Sequence, residues 1–361
     1  MPHYRQLKRW VGTFAIVTIL AFALFIVPYP VVINSPGPTF DVLGKDKGGI
    51  SLLAIKGAKT YPNPKGKLLM TTVSSQGGPG SHVSGVDIIS ALLDPDSSMM
   101  LEKDVYPKDI TDKDLRNIGV RQMDQSQMAS EAVALEALGY QVNVTWSVEA
   151  IEKVSYAVNI LEPQDILQTI TAPGKPTLKI SSITALHDYL AQVPPETPIS
   201  MVVQHDDNMK AVSFKTIASR DGTGSRLGIA LISHVKVPLN IDFHVKDVDG
   251  PSAGMIFSLG IVEKLTSEDL LGDDTVAGTG TIDLSGKVGS ISGIAQKMSA
   301  AKHSGAKYFL APKENCSDLR GNVPPGLKVV AVDTFDEALA AVKHVRDREV
   351  DKLQSCAVKR K

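Results

Sequence analysis

The longest apolar stretch of the chain lies close to its N-terminus. Residues 10–28 carry no charged side chain, and as a helix rising about 1.5 Å per residue they would span roughly 28 Å, the hydrocarbon thickness of a bilayer. Arg5, Lys8 and Arg9 precede this stretch and the next lysine or arginine is Lys45, so the positive-inside rule places residues 1–9 in the cytoplasm. The pattern predicts one membrane anchor, with everything after Tyr29 outside the cytoplasm. A cleaved signal peptide, whose apolar region is usually shorter, and a buried helix of a soluble domain are the alternatives.

After the anchor, apolar runs broken by proline and glycine predict strands and loops up to about residue 141. Within this region, DQSQMASEAVALEALGY has apolar residues at helical spacing and ends beside Gly139, so it predicts an amphipathic helix. Residues 142–222 alternate short strand candidates with one helix, SITALHDYLAQV, which is ended by Pro194 and Pro195.

The order of elements in residues 142–222 resembles a PDZ domain. A PDZ domain usually has glycine before the aspartate of the turn that leads into its second strand, whereas Gln164 precedes Asp165 here. A recognisable glycine-rich carboxylate-binding loop is also missing from the sequence. Peptide binding by strand addition and a structural spacer role therefore both stay open for this unit.

The region from 223 to 346 alternates strands and helices. It contains a helix that follows GPSAG and runs to about Leu265, a hairpin turn at Ser285–Gly286, and helices at Ile294–His303 and TFDEALAAVKHV. This order predicts a small α/β layer with parallel strand pairing.

Composition excludes some classes of partner. The 38 basic and 39 acidic residues balance, so no charge excess favours nucleic acid. No G-x-x-x-x-G-K-[ST] motif occurs in the sequence, so ATP binding is not predicted. The two cysteines, Cys316 and Cys356, are too few for a disulfide framework and lack the spacing of a zinc site. They can pair or stay free, and no metal or cofactor is expected.

The candidate chemistry centres on DVDGPSAG, which has the spacing G-x-S-x-G around Ser252. In an α/β-hydrolase this spacing forms the nucleophile elbow, and the aspartate and histidine of the catalytic triad follow it in the chain. His303 and His344 are the candidates for that histidine. The elbow needs a buried apolar strand before it, however, and the preceding DFHVKDVDG is rich in charge. A phosphate cradle at a helix start is a second interpretation, but Asp247 and Asp249 would repel an anion.

A third interpretation pairs Ser252 with Lys297, which lies 45 residues further along the chain. Lysine accepts a serine proton only when it is neutral, so its pKa must fall from about 10.4 to roughly 7–8, which costs about 3–5 kcal/mol. Lys297 lies beside the apolar stripe of its predicted helix, where burial would supply this shift. A solvated surface lysine is the alternative.

Four ordered segments favour the third interpretation, because together they resemble the Lon-type Ser-Lys protease domain. The segments are DGPSAG at Asp249–Gly254, TGTIDLSGKV at Thr279–Val288, ISGIAQK at Ile291–Lys297, and a helix end followed by a strand at Ala300–Pro312. The resemblance implies a ribosomal protein S5 domain 2-like α/β fold. It also implies Ser252 as nucleophile, Lys297 as general base, and the backbone N–H groups of Ser252 and Ala253 as oxyanion donors.

The same resemblance places supporting polar groups at Thr279, Asp249 and His244. Thr279 would orient the lysine, although each of the three residues also fits an ordinary structural role. The family's T-G-E reads T-G-T here, so Thr281 replaces an acid whose contribution is lost.

Together with the anchor and the PDZ-like unit, these segments resemble the membrane-anchored YlbL-like peptidases of Gram-positive bacteria. The expected fold is a multidomain α+β chain, whose consecutive parts are a cytoplasmic N-terminus (1–9), a transmembrane anchor (10–28), an extracytoplasmic region (29–141), a PDZ-like domain (142–222), a Lon-type domain (223–346) and a charged tail (347–361).

The expected function is that of an ATP-independent serine endopeptidase, held at the plasma membrane, that cleaves extracytoplasmic peptides or unfolded and membrane proteins. Its expected partners are peptide or protein substrates and the membrane, with oligomers permitted and nucleic acid excluded. A non-catalytic membrane scaffold and an esterase that uses the same serine as an α/β-hydrolase are the alternatives.

Overall fold

The computed structural model describes most of the chain. The positions outside the described residues are 1–9, 11–12, 16–17, 19–24, 26, 62–64, 221, 246–247, 320 and 357–361. The chain divides into two units, of which the larger combines Met1–Gly139 with Leu239–Lys361 and the smaller is Tyr140–Pro238. The regions before and after the smaller unit, which the sequence presents as separate consecutive parts, therefore belong to one folded unit.

The transmembrane helix predicted at 10–28 is corrected by the structure. Among the described residues, no helix is both long enough and apolar enough to cross a membrane. Residues 1–9 and most of 10–28 lie outside the part of the chain that the structure describes. The observed fold class is an α+β chain with two units, and the predicted membrane-spanning helix is not among its described elements.

The described strands are, in chain order, β1 (Val31–Asp41), β2 (Leu53–Lys56), β3 (Lys67–Gln76), β4 (Ser98–Leu101), β5 (Asn143–Ile151), β6 (Ile166–Thr171), β7 (Leu178–Lys179), β8 (Pro198–His205), β9 (Asn208–Lys215), β10 (Ile217–Ala218), β11 (Ser225–Arg226), β12 (Ile229–Lys236), β13 (Asn240–Phe243), β14 (Thr275–Gly278), β15 (Thr281–Ile282), β16 (Val288–Gly289), β17 (Tyr308–Pro312) and β18 (Lys328–Val332). The α-helices whose two ends both lie among the described residues are α1 (Gly85–Leu93), α2 (Glu102–Val105), α3 (Asp112–Ala137), α4 (Ile183–Ala191), α5 (Gly254–Leu265), α6 (Ile294–His303) and α7 (Phe335–Arg346).

The larger unit is built around a six-stranded mixed sheet with the order β18-β17-β14-β3-β1-β4. Strands β3, β14, β17 and β18 are parallel, as predicted for the C-terminal part, whereas β1 is antiparallel to both of its neighbours. Strand β3 pairs with β14 only over Lys67–Met70 and then continues past the end of β14. Its remaining residues pair with β1 alone among the described strands.

Helices α5 and α6 pack their apolar faces into the core of this unit. Almost the whole of α5 is buried, from Gly254 to Glu263. On α6, Ile294 and Met298 join the cluster that includes Leu69 and Phe309 of the sheet. Both helices therefore have fixed positions, which matters because α6 carries Lys297 and α5 begins two residues after Ser252.

Helix α3 is longer than the sequence predicts. A capping box between Thr111 and Asp114 starts it twelve residues before the predicted segment, and each side chain bonds the other's backbone N–H. Polar residues dominate this first half, so the apolar period that marked the second half is weak there. The buried side of the helix includes Met123, Ser126 and Ser130.

The smaller unit is a β-rich domain with one helix. Its sheet has the order β12-β5-β6-β8-β9, with β7 added beside β6, and α4 lies between β7 and β8 in the chain. Its core includes Leu167, Ile170 and Leu186. This arrangement supports the predicted PDZ-like class, and β12 pairs with β5 in the same sheet although it follows residue 222.

The two cysteines are joined as a disulfide between Cys316 and Cys356. The bond links the 3-10 helix Lys313–Leu319 to the C-terminal segment, 40 residues further along the chain. A cross-link of this kind stabilises the larger unit mainly by restricting its unfolded chain.

Candidate active site

Ser252 lies in a tight turn immediately before helix α5. Gly250 has a φ of +90°, a left-handed conformation that glycine adopts without strain. Ala253 is the N-cap residue of α5, so its N–H is among those that a helix leaves without an internal acceptor. A Cβ added at Gly254 would lie 2.8 Å from the Cγ2 atom of Ile282. The two glycines of the motif therefore serve the turn and the close packing behind it.

Helix α6 brings Lys297 to this turn. The Nζ atom of Lys297 lies 2.8 Å from the Oγ atom of Ser252 and 3.0 Å from the Oγ1 atom of Thr279. The hydroxyl of Thr279, directly after β14, donates to the carbonyl oxygen of Ser252 at 3.0 Å. The structure thus brings together three residues that the sequence assigned to one site.

Burial determines the electrostatics of the lysine. The Lys297 residue is only 4% exposed, and this burial lowers the pKa of its ammonium group from 10.5 to about 8. At pH 7 about a tenth of the molecules therefore carry a neutral lysine. Such a lysine can donate one N–H to Thr279 and accept the hydroxyl proton of Ser252 with its lone pair.

The structure places the other two predicted supporting residues differently. Asp249 is exposed and lies against Gly119 of α3, where a Cβ on that glycine would be 2.8 Å from the Asp249 Cβ. The ring of His244 is exposed and its Nδ1 atom is 3.0 Å from the carbonyl oxygen of Ser51. Among the described contacts, neither residue bonds Ser252, and the catalytic contribution of Asp249 stays a prediction.

The histidines required by the α/β-hydrolase interpretation have other partners. The Nε2 atom of His303 lies 3.6 Å from a carboxylate oxygen of Asp96. The Nδ1 atom of His344 lies 2.7 Å from a carboxylate oxygen of Glu349. Since the described side chain that bonds the Ser252 hydroxyl is Lys297, the geometry favours a lysine as the base.

A groove of about 850 Å³ opens over Ser252. Residues 72–75 of β3, which lie past the end of β14, are part of its lining. The other residues that line the groove are Pro38, Met70, Thr71, Tyr106, Met123, 248–253, Thr281, Ser290, Ile291, Ser292 and Lys297. The lining combines apolar side chains with a strand edge.

Two features of this site are missing from the sequence-based prediction. The edge of β3 becomes part of the groove only through its pairing with β14, about two hundred residues further along the chain. Ser126 and Ser130 of α3 bond the turn that carries Ser252. Their four-residue spacing on the otherwise apolar face of a predicted helix is the signal that could have drawn attention to them.

A serine at the head of a helix, bonded to a buried lysine with a lowered pKa, defines the site of a serine hydrolase with a lysine base. Comparison with protein-family models agrees with this class. Residues 224–344 match the model described as the Lon protease (S16) C-terminal proteolytic domain. This part of the chain is therefore similar to the serine peptidase domain of Lon proteases.

Curated relatives match over about a third of the chain or less. The Lon protease of Haemophilus influenzae is 41% identical over 121 residues, which are 32% of this chain and 15% of that protein. Lon protease 2 of Bacillus subtilis is 38% identical over 107 residues, or 28% of this chain and 19% of that protein. The chain thus spans less than a fifth of the length of these two relatives.

Solved structures similar to the chain include PDZ domains of SdrC-like proteins. The domain from Listeria monocytogenes is 20% identical, with a TM-score of 0.21, and the match covers 24% of this chain and 86% of that domain. The domain from Listeria innocua is also 20% identical, with a TM-score of 0.22, and the match covers 28% of this chain and 99% of that domain.

Proposed function

We propose that this chain is an ATP-independent serine endopeptidase in which Ser252 is the nucleophile and Lys297 the general base. The observation that carries the proposal is the 2.8 Å contact between the Lys297 Nζ and the Ser252 Oγ at a position where the lysine is 4% exposed. The match to the Lon proteolytic domain supports the same chemistry. The narrower resemblance to YlbL-like peptidases stays a prediction, as does the oligomeric state.

The proposed reaction begins when neutral Lys297 takes the proton of the Ser252 hydroxyl. The Oγ atom then attacks the scissile carbonyl carbon, and the resulting oxyanion is stabilised by N–H groups at the head of α5, that of Ala253 among them. The protonated lysine next gives its proton to the leaving amine, and an acyl-enzyme forms. Water, deprotonated by the same lysine, releases the acyl group and regenerates the serine.

Thr279 has a defined part in this scheme. It accepts an N–H of Lys297 and donates its own proton to the carbonyl oxygen of Ser252. The first bond directs the lone pair of the neutral lysine towards Ser252, and the second fixes the backbone of the nucleophile. Thr279 therefore orients both members of the pair without giving or taking a proton.

The groove supports extended polypeptide as the substrate class. The edge of β3 beyond Met70 has no strand partner on its β14 side among the described residues, and an extended peptide can pair with such an edge through main-chain hydrogen bonds. A stably folded domain cannot present an extended segment there without unfolding, which costs about 5–15 kcal/mol. The proposed substrates are therefore peptides and polypeptides that are already unfolded.

The disulfide supports a proposal about where the enzyme works. Disulfides persist in oxidising compartments and are rare in the cytosol, and Cys316 is paired with Cys356. We propose that the larger unit functions outside the cytoplasm, where little ATP would be present to drive unfolding of a substrate.

Cleavage without ATP is the direct test of this function. We expect the full-length protein to hydrolyse an unstructured peptide at the same rate with and without Mg-ATP, and to leave a stably folded protein intact until that protein is denatured. The products would be followed by mass spectrometry. Cleavage that requires ATP would contradict the proposal, and so would ester hydrolysis without peptide hydrolysis. Absence of both activities would favour the non-catalytic scaffold.

The pH dependence of kcat/KM should reflect the protonation of Lys297. We expect kcat/KM to rise about tenfold per pH unit at low pH and to level off above about pH 8, because only neutral Lys297 acts as base and burial lowers its pKa to about 8. Initial rates between pH 5.5 and 10 at constant ionic strength would measure this. A midpoint at about 6.5 would instead indicate a histidine base.

A further inference from the structure

Two serine hydroxyls from helix α3 bond the backbone on both sides of Ser252. The Oγ atom of Ser126 donates to the carbonyl oxygen of Pro251 at 2.9 Å. The Oγ atom of Ser130 lies 2.9 Å from the carbonyl oxygen of Gly254, to which it donates. One carbonyl comes just before the nucleophile and the other two residues after it. The turn is therefore held at two points around the reacting side chain.

A third contact extends the same face of α3. The carbonyl oxygen of Gly119 accepts the N–H of Gly250 at 3.1 Å. Gly119, Ser126 and Ser130 are seven and four residues apart, which is about two turns and one turn of a helix, so they lie along one stripe. A side chain at Gly119 would collide with Asp249. Residues 249–254 therefore pack and hydrogen-bond along this stripe of α3.

Burial makes these hydroxyl contacts consequential. Ser126 is 3% exposed and Ser130 is fully buried, so water has little access to replace a lost hydroxyl. Without the Ser126 hydroxyl, the carbonyl oxygen of Pro251 would keep only the longer, 3.4 Å bond from the N–H of Gly254, whereas the carbonyl oxygen of Gly254 would keep the hydroxyl of Ser258 at 3.1 Å. A carbonyl oxygen that loses its stronger donor in a poorly hydrated place costs free energy, and the backbone shifts to recover a partner. A shift of Pro251 would carry Ser252 with it. Reactive geometry is sensitive to such movement, since a displacement of about 1 Å can lower the rate about a hundredfold.

We propose that Ser126 and Ser130 are positioning residues that hold the Ser252 Oγ within reach of the Lys297 Nζ. The proposal rests on the proposed peptidase function. Ser126 carries more of the effect, because the Ser130 hydroxyl divides its single proton between the carbonyls of Gly254 and, at 2.6 Å, Ser126. Both serines lie outside residues 224–344, the part that matches the Lon proteolytic domain. The catalytic turn is accordingly completed by a helix encoded before the smaller unit.

Full-length Ser126→Ala and Ser130→Ala variants test this inference. We expect Ser126→Ala to lower kcat on an unstructured peptide about tenfold to a hundredfold and Ser130→Ala to lower it less. KM should stay within about twofold of wild type, because neither serine is among the residues that line the groove. Labelling of Ser252 by a fluorophosphonate should slow by the same factor as kcat. The pH midpoint should not move, because the burial of Lys297 is unchanged.

Ser155→Ala is the matched control. Ser155 is also buried, and its hydroxyl donates to the main-chain carbonyl of Leu227 in the smaller unit at 2.6 Å. We expect this variant to lose a similar amount of thermal stability but to keep wild-type kcat. A Ser126→Ala variant with kcat within twofold of wild type would overturn the inference. An equal kcat loss in Ser155→Ala would do the same, because it would show a general effect of stability.

Failure of the underlying function gives a different result. If wild-type protein neither cleaves peptide nor reacts with the fluorophosphonate at Ser252, the proposed peptidase is wrong and the positioning roles fall with it. If wild type is active and Ser126→Ala is equally active and equally labelled, the positioning inference alone is wrong.

Discussion

Replacing Ser252 by alanine is expected to lower kcat on an unstructured peptide by at least about 10⁴-fold, which corresponds to about 5 kcal/mol or more in activation free energy. The reason is that the bond-forming atom is removed while the groove and the N–H groups at the head of α5 remain. Because Ser252 is only partly buried, the free energy of unfolding should change by less than about 1 kcal/mol. Steady-state kinetics and chemical denaturation of the purified full-length variant would measure both quantities.

Two histidine variants complete this experiment. His303 and His344 contact Asp96 and Glu349, so His303→Ala and His344→Ala should keep kcat within a few fold of wild type. Loss of activity in either variant, together with loss in Ser252→Ala, would restore the α/β-hydrolase interpretation. Peptide cleavage that survives in Ser252→Ala would show that another residue is the nucleophile.

Replacing Lys297 by methionine should abolish turnover and stabilise the protein. Loss of the general base should lower kcat about 10³- to 10⁴-fold. Methionine nearly matches the length of the lysine stem, so it can occupy the same buried space without a charge. Lys297→Arg should be equally inactive, because arginine stays protonated at every pH at which the protein is folded.

The sign of the stability change follows from the lowered pKa. Burial moves the pKa of Lys297 from 10.5 to about 8 in the folded protein, so the unfolded chain binds more protons between these two values. The free energy of unfolding of wild type therefore rises as pH increases from 8 to 10.5, and the full penalty of the buried charge is present below pH 8. We expect Lys297→Met to gain about 1–3 kcal/mol at pH 7 and to lose most of this gain by pH 10.5.

Urea denaturation at pH 7 and pH 10.5 would measure this gain. A Lys297→Met variant that is less stable than wild type at pH 7 would contradict the account, because it would show that the lysine contributes more through its contacts than its burial costs. A gain that is the same at both pH values would show that the improvement comes from packing and not from removal of a charge.

Much of the local structure around the site follows from the sequence. The bounds of α6 agree with the predicted helix Ile294–His303, because its apolar stripe and the Ser304-Gly305 end are both local signals. The same holds for the hairpin turn at Ser285–Gly286, where the glycine has a φ of +78°. The ordered motifs then indicated that Ser252 and Lys297 would meet, and the structure places their side chains in contact.

The unpredicted features depend on contacts between distant parts of the chain. The pairing of β3 with β14 joins two regions separated by the smaller unit, and no periodicity within either strand specifies its partner. The bonds of Ser126 and Ser130 to the catalytic turn depend on the same long-range assembly. The transmembrane helix was predicted from hydropathy alone, and it is the part of the fold class that the structure corrects.

Identification of the residue that reacts with a fluorophosphonate tests the central claim most directly. Wild-type protein and Lys297→Met would be labelled at pH 8, digested and analysed by mass spectrometry. The account predicts a single adduct on the peptide that contains Ser252 in wild type, and labelling that is slower by at least about a hundredfold in Lys297→Met. An adduct on another serine, or labelling of Ser252 at the same rate in both proteins, would contradict it.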